Sequence, residues 1–350
     1  MPRKLTSMLA PLAVMLLAVA GVGLVTNVNN PDDAGAECAT ARPQLSKALA
    51  KPVAPTRSAQ RTSFRPALDQ AGAPSFASAG GDGALPRPED LLLKAIHALE
   101  AHDTVSCKIR YEIDLFGRQL MGTGMYAEQR PATDCLMRLE LRLQLGDRLA
   151  SVVQVSDGRY LWDYSSVSEE PTLSRFDFVR ITRTLADEGK LVVTPGSPAL
   201  PGLGGLPRLI RGLHAQFDFT LAEPGYWGAE RRLVWKLTGQ WKQSRLPELL
   251  PAQREALKRG ELPDLSRLPS HLPDQVVVLL GQEDLFPYRV EYLRAAEGSS
   301  HGPLRTLVAV DCYEAAFDLP LDPGQFVYNP GNSRFTDLTD AFIRNARAAQ

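Results

Sequence analysis

The sequence lacks the short motifs by which many enzymes are recognised. Its 350 residues contain no H-E-x-x-H and no G-x-x-x-x-G-K-[ST]. These two absences leave no indication of a zinc protease or a phosphate-binding loop. The glycine-rich run at residues 202–205 has no lysine after it and is typical of a plain loop. We expect a protein that is not an enzyme and that uses no cofactor and no metal.

The sequence also has almost no net charge and few cysteines. A formal charge of −1 argues against a nucleic-acid partner. The four cysteines are Cys38, Cys107, Cys135 and Cys312, and none forms a C-x-x-C pair. Cys107 and Cys135 fall on apolar faces of predicted strands, where buried free thiols are the simpler interpretation. A disulfide in an oxidising compartment stays open, and the sequence does not give its pairing.

Residues 1–26 predict export from the cytoplasm. Arg3 and Lys4 precede an almost continuous apolar run from Met8 to Val25, and Ala18-Val19-Ala20 resembles a signal-peptidase site. The run is also close to the length of a membrane span. It is therefore either a cleaved signal peptide or an uncleaved transmembrane anchor. Both place the rest of the chain in the periplasm or cell envelope.

The remaining chain divides into a linker and one domain. Residues 27–86 are rich in alanine, proline and serine without periodicity, which is typical of a disordered region. If the first segment stays in the membrane, this linker would tether the domain to the inner membrane. The domain is predicted over residues 87–350, with a charged, proline-punctuated insertion at about 246–270 that we expect to be solvated.

The stretch from Thr104 to Tyr164 predicts five consecutive antiparallel strands. Apolar and polar residues alternate strictly through the first and third of them, which is typical of strands with one apolar face. Gly122 and Gly124 are expected to bend the second strand. Asp163 is the most enclosed carboxylate of the stretch, and we expect it to face outward or to be a hydrogen-bonded structural residue.

The rest of the domain predicts further strands and several helices. The helices are expected at Pro88–Ala101, Ser174–Glu188, Pro207–Leu213 and Thr336–Ala348. Later strands are expected at 216–222, 231–241, 275–281, 288–294 and 304–313. About ten antiparallel strands and four or five helices, arranged in blocks, predict an α+β fold: one large curved antiparallel sheet with helices packed on its concave face.

Asp157–Tyr164, Asp284–Tyr292 and Phe317–Pro330, in this order, resemble segments of the LolA-like superfamily of lipoprotein carriers, which includes LolA, LolB, RseB and the mycobacterial LppX and LprG proteins. Residues Asp157–Tyr164 resemble the family's "DGK-x-LW-x-Y" strand. Asp284–Tyr292 resembles its turn and strand ending in "P-x-x-[VI]", and Phe317–Pro330 its "F-x-x-P…F-x-x-x-P" ending. The resemblance covers about Pro88–Pro330, without the insertion, and indicates a divergent member.

The resemblance implies an unclosed β-barrel whose concave side holds helices and an apolar cavity for the acyl chains of a lipid or lipoprotein. Nine residues are the candidates to line that cavity, although they would serve equally well as ordinary core. They are Ile109, Tyr111, Ile113, Met137, Leu139, Leu141, Val153, Val155 and Trp162. RseB-like relatives imply an alternative: a membrane-tethered sensor or scaffold that binds another envelope protein, with the insertion at Leu246–Pro269 as the candidate contact.

Overall fold

A computed structural model provides the structure of the domain. It describes residues 85–115, 118–130, 136–145, 148–167, 170–188, 205–295 and 303–348. The predicted export segment, and the predicted linker up to residue 84, lie outside the described residues.

The described residues form twelve strands and six α-helices. The strands are β1 Thr104–Leu115, β2 Arg118–Gln129, β3 Leu136–Leu145, β4 Arg148–Asp157, β5 Tyr160–Ser165, β6 Thr172–Asp177, β7 Phe217–Trp227, β8 Arg232–Trp241, β9 Gln275–Gly281, β10 Pro287–Ala295, β11 Leu304–Phe317 and β12 Thr336–Asp337. The helices are α1 Pro88–Ala101, α2 Phe178–Asp187, α3 Gly205–Gln216, α4 Leu246–Leu249, α5 Arg254–Lys258 and α6 Thr339–Ala348. Short 3₁₀ turns lie at Pro251–Gln253, Leu265–Arg267 and Pro323–Phe326.

All twelve strands belong to one sheet, in the order β12-β6-β5-β4-β3-β2-β1-β11-β10-β9-β8-β7. Every neighbouring pair is antiparallel except β12 and β6, which are parallel. The two ends of this order are not paired with each other, so the sheet stays open. The sheet consists of two meanders, β1–β6 and β7–β11, that meet where β1 pairs with β11. The predicted α+β class with a large antiparallel sheet is confirmed.

Helix α1 has the bounds that the sequence predicts, for the expected reasons. Pro88 occupies the first turn, and Glu89 and Asp90 lie at the positive end of the helix dipole. Leu92 and Ile96 lie one turn apart on the buried side of the helix. The helix is thus held mainly by its apolar face, as short amphipathic helices are.

The predicted helix at Ser174–Glu188 begins later than expected. Residues up to Asp177 continue the sheet as β6, where Ser174 lies opposite Asp163 of β5. Asp177 is itself the N-cap, because its Oδ1 accepts the backbone N–H of Arg180 at 2.9 Å. The Ser174–Asp177 spacing is therefore not a capping box.

The helix predicted from residue 336 also begins late. Thr336 and Asp337 first add a short strand beside β6.

The charged insertion is attached more firmly than a solvated excursion would be. Leu246, Leu250 and Leu268 are buried in the main core. The Arg294 guanidinium donates to the carbonyl oxygens of Leu268 at 2.9 Å and Leu272 at 2.7 Å. The expectation of a solvated insertion is therefore wrong for the two ends of the segment, because the leucines there are part of the core.

Candidate functional site

The two faces of the sheet differ in what they contact. Strand register places Ile109, Leu141 and Val152 in one row, with Gly124 between the first two. Directly paired residues point to the same side of a sheet, so this row belongs to one face, which we call the inner face. The inner face packs against apolar residues of α1, α2, α3 and α6 in one continuous core.

Six of the nine candidate residues lie on the inner face and are buried. They are Ile109, Tyr111, Ile113, Met137, Leu139 and Leu141. The other three point to the opposite, outer face, because Val155 pairs with Arg138, Val153 with Glu140, and Trp162 with Val155. The structure therefore does not bring the nine residues together around one space.

Trp162 on the outer face is covered by the chain's own C-terminal segment. Tyr328 stacks on the Trp162 ring with centroids 5.4 Å apart, and Phe335 meets it edge-on at 5.1 Å. The Arg175 guanidinium lies 4.8 Å from the centroid of the Phe335 ring. We call residues 319–335 the C-terminal strap. The strap is also held to β3, because Arg138 Nη1 donates to the Gln325 carbonyl oxygen at 2.8 Å.

The glycines of β2 allow a tyrosine to lie flat across the inner face. The Tyr111 hydroxyl donates to the Arg142 carbonyl oxygen at 2.9 Å, two strands away. A Cβ at Gly122 would lie 2.2 Å from that hydroxyl oxygen. Burial raises the pKa of Tyr111, so the phenol stays neutral. Gly122 is thus needed for a close approach of this side chain.

A buried carboxylate anchors the start of α3 on the inner face. Glu128 is 1% exposed and is paired with Arg130, while its Oε2 accepts the Tyr126 hydroxyl. The first-turn N–H of Leu206 donates to Tyr126 Oη at 3.1 Å. A negative charge at a helix N-terminus is favourable, and here it is also satisfied by hydrogen bonds. The cluster fixes α3 over β2.

Polar atoms of the inner face are incompletely satisfied at two places. Gln154 is 7% exposed, its amide nitrogen lies 3.4 Å from Asp163 Oδ1, and its Oε1 has no hydrogen-bond partner among the described residues. Burial raises the pKa of Asp163, partly opposed by that hydrogen bond. The buried Tyr292 hydroxyl likewise has no partner in the described part of the chain. Buried orphan atoms of this kind need an explanation.

Sequence reasoning missed Gln154 and Glu128, which both lie at inward positions. Strand β4 is buried on both faces, so its pattern favoured Val153 and Val155 as inward residues. The register with β3 shows instead that Val152 and Gln154 face inward. A hairpin fixes which residues of its two strands share a face. Because Leu139 and Leu141 were assigned to the inner face, applying this rule to the β3–β4 hairpin would have identified Gln154 as an inward residue.

The three segments that resemble a known family have structural roles in turns and packing. Asp157 Oδ1 accepts the backbone N–H groups of Arg159 and Tyr160, and Gly158 has φ 89°. Asp284 and Asp322 accept N–H groups in the same way at their own turns. These aspartates stabilise turns, as Asx-turns do.

Neither a metal site nor a membrane-spanning helix occurs in the described ranges. No group of three or more His, Cys, Asp or Glu side chains there could hold a metal ion. None of the helices described is long and apolar enough to cross a membrane.

Comparison with protein-family profiles found no match, and comparison with curated protein sequences found none. Solved structures gave 33 matching chains. MucB is 14% identical, with a TM-score of 0.35, and the match covers 69% of this chain and 62% of MucB, so the chain spans about three fifths of that protein. A DUF1329 family protein from Desulfovibrio piger is 10% identical, covering 69% of this chain and 96% of that one, with a TM-score of 0.29. A putative outer membrane lipoprotein-sorting protein domain from Vibrio parahaemolyticus is 9% identical, covering 68% and 95%, with a TM-score of 0.27.

At these TM-scores the matches carry no argument about what this chain binds.

Proposed function

We propose that this chain is a non-catalytic protein of the cell envelope that binds the acyl chains of a lipid or lipoprotein against the inner face of its sheet. Support comes from the breadth of that face: apolar residues from β1 to β11 form one core with the helices. Burial of an acyl chain there would gain about 0.8 kcal/mol per CH₂ group.

The helices cover the inner face as two separate groups. Helices α1 and α3 pack together beside β7, whereas α2 and α6 pack together beside β5 and β6. The second group lies on the inner face, because Phe176 of β6 meets Phe342 of α6 edge-on at 6.4 Å. The inner residues of β3 and β4 lie between the two groups, and we place the ligand there.

The observation that carries the proposal is the orphan acceptor at Gln154 in this region. A core closed by its own side chains rarely keeps a buried amide oxygen without a donor, since such an atom costs about 1–3 kcal/mol. Asp163 beside it also accepts hydrogen bonds when ionised. A ligand with a hydroxyl or amine group next to its acyl chains would supply donors to both, and apolar contact to the neighbouring strands.

The test is recovery of ligand from the full chain purified from the cell envelope. We expect native mass spectrometry to detect bound lipid and a fluorescent fatty acid to bind with saturation. Gln154→Leu should weaken retention of the natural ligand and leave the fold intact, whereas Gln240→Leu, at an exposed position of β8, should change neither. A folded protein that carries no lipid and does not bind the fatty acid would contradict the proposal.

A second candidate function is that of a sensor or scaffold for another envelope protein, favoured by one feature of the insertion. Leu262 is 92% exposed. It lies in a segment held by hydrogen bonds, since Gln253 and Asp264 exchange two across it at 2.9 and 3.0 Å. Deleting the insertion would remove buried leucines, so the sharper test is Leu262→Asp. We expect this variant to lose a captured envelope partner while lipid binding persists; unchanged capture would count against the second function.

A further inference from the structure

Two cysteines lie at the joint between the two meanders. Strand β1 pairs with β11 there, and Ile109 lies directly opposite Cys312. Cys107 is two residues before Ile109 in the same strand, so both cysteines point to the inner face. Both are buried in the main core, and both are free thiols in the structure.

A bulge in β11 brings the two side chains together. Ser106 lies opposite Ala316, but Lys108 lies opposite Tyr313, so β11 carries one extra residue across from Cys107. Glu314 lies in the bulge with a positive φ of 50°, and its side chain forms an ion pair with Lys108 on the outer face. The Cys107 thiol is consequently in hydrogen-bonding contact with Cys312, and this contact, together with burial, raises the pKa of Cys107.

We propose that Cys107 and Cys312 are joined by a disulfide in the exported protein, which covalently ties the first meander to the second. Disulfides persist in exported proteins because their compartment is oxidising. The bond goes beyond the proposed ligand binding and does not depend on it. It depends on export, which residues 1–26 predict.

The bond forms by exchange with a disulfide-bearing oxidant, either an oxidase of the envelope or oxidised glutathione. The thiolate of one cysteine attacks a sulfur of the oxidant and gives a mixed disulfide. The second thiolate then displaces the oxidant's sulfur, and the two protons lost by the cysteines end on the two sulfurs of the oxidant, which leaves as thiols. Thiolates are the reactive form, and burial suppresses them, so exchange precedes the closing of β1 onto β11. The same burial afterwards protects the bond from reductants.

The experiment blocks free thiols before any reduction and identifies linked peptides by mass spectrometry. The full chain is taken in two forms: purified from the envelope, and refolded with a mixture of reduced and oxidised glutathione. We expect the peptide containing Cys107 to be linked to the peptide containing Cys312 in both. Blocked, unlinked Cys107 and Cys312 in either form, or a link from one of them to Cys38 or Cys135, would overturn the proposal.

A matched set of variants measures the consequence. Cys38→Ser/Cys135→Ser should show no reactive thiols in denaturant before reduction and two after it. Its Tm should be lower once the bond has been reduced in denaturant and the protein refolded with reductant present. The control adds Cys107→Ser and Cys312→Ser to that variant, so that all four cysteines are replaced. The same reducing treatment should leave the Tm of this control unchanged. Two reactive thiols in the unreduced Cys38→Ser/Cys135→Ser variant contradict the bond whether or not the other variant folds.

Discussion

The inner and outer faces of the first meander are built from the same strands but are held in different ways. On the inner face, Ile113 and Leu141 are buried beneath helices that lie elsewhere in the sequence. On the outer face, charged residues such as Arg138 and Glu140 pair with each other in partial contact with water. At Trp162 the outer face is covered by the C-terminal strap.

This difference shows that apolar character alone does not identify which face of the sheet a side chain lies on in this protein. Alternation assigns a residue to a face only relative to its neighbours in the strand. Whether that face meets a helix, the strap or a ligand depends on contacts between residues far apart in sequence. The two faces therefore make different predictions for the same kind of substitution.

The largest effect is expected for the inner carboxylate Glu128. Glu128→Gln removes the buried carboxylate that pairs with the partly exposed Arg130, and breaking a buried pair costs about 3–5 kcal/mol. Glu140→Gln on the outer face should cost at most about 1 kcal/mol, since partly exposed pairs contribute little. Urea unfolding of both variants measures the contrast. Equal losses of unfolding free energy in the two variants would mean that the ion pairs of the two faces contribute equally to stability.

Truncation of an inner aliphatic residue should have the next largest effect. Ile113→Ala removes a fully buried side chain, and such changes cost about 2–5 kcal/mol. Met121→Ala, on the outer face of β2, should stay within about 0.5 kcal/mol because Met121 is 62% exposed. Added fatty acid should reduce the difference in stability between the two variants only if it fills the space left at residue 113. Thermal unfolding with and without fatty acid measures this.

The strap should respond more weakly, since it is held mainly by a few aromatic contacts. Tyr328→Ala removes the ring stacked on Trp162 and should cost about 1 kcal/mol. It should also speed proteolysis within residues 319–335. Val327→Ala, at an exposed neighbour, is the matched control. If both variants are cleaved at the wild-type rate, the strap is secured by contacts other than the Trp162 stack.

The sequence was sufficient for ten of the twelve strands and for α1, since their periodicities are long. The prediction was wrong where a helix and a strand were both compatible with the local sequence. Residues 172–177 could start a helix, but pairing with β5 extends the sheet instead. The site was harder still: the inward direction of Gln154 follows from its register with Leu139, and the cover over Trp162 comes from Tyr328, 166 residues later. Such tertiary contacts have no local signal.

The smallest effect concerns pH and tests whether Asp163 belongs to a ligand site. Burial raises the folded-state pKa of Asp163 above its ordinary value, so the folded protein favours the protonated carboxyl. The resulting stabilisation is fully present below the ordinary pKa of about 3.9 and is lost as the pH rises through the raised value. Asp163→Asn should therefore be slightly more stable than wild type at pH 7 and equal to it near pH 3, whereas Asp187→Asn, at an exposed position, should show no such change. Urea unfolding at both pH values checks the sign.

The lipid content of the same variant decides whether Asp163 belongs to the ligand site. If Asp163→Asn gains stability at pH 7 and loses bound lipid, the carboxylate lowers stability but is needed for binding, and Asp163 belongs to the site. If the variant gains stability and retains its lipid, Asp163 lies outside the site.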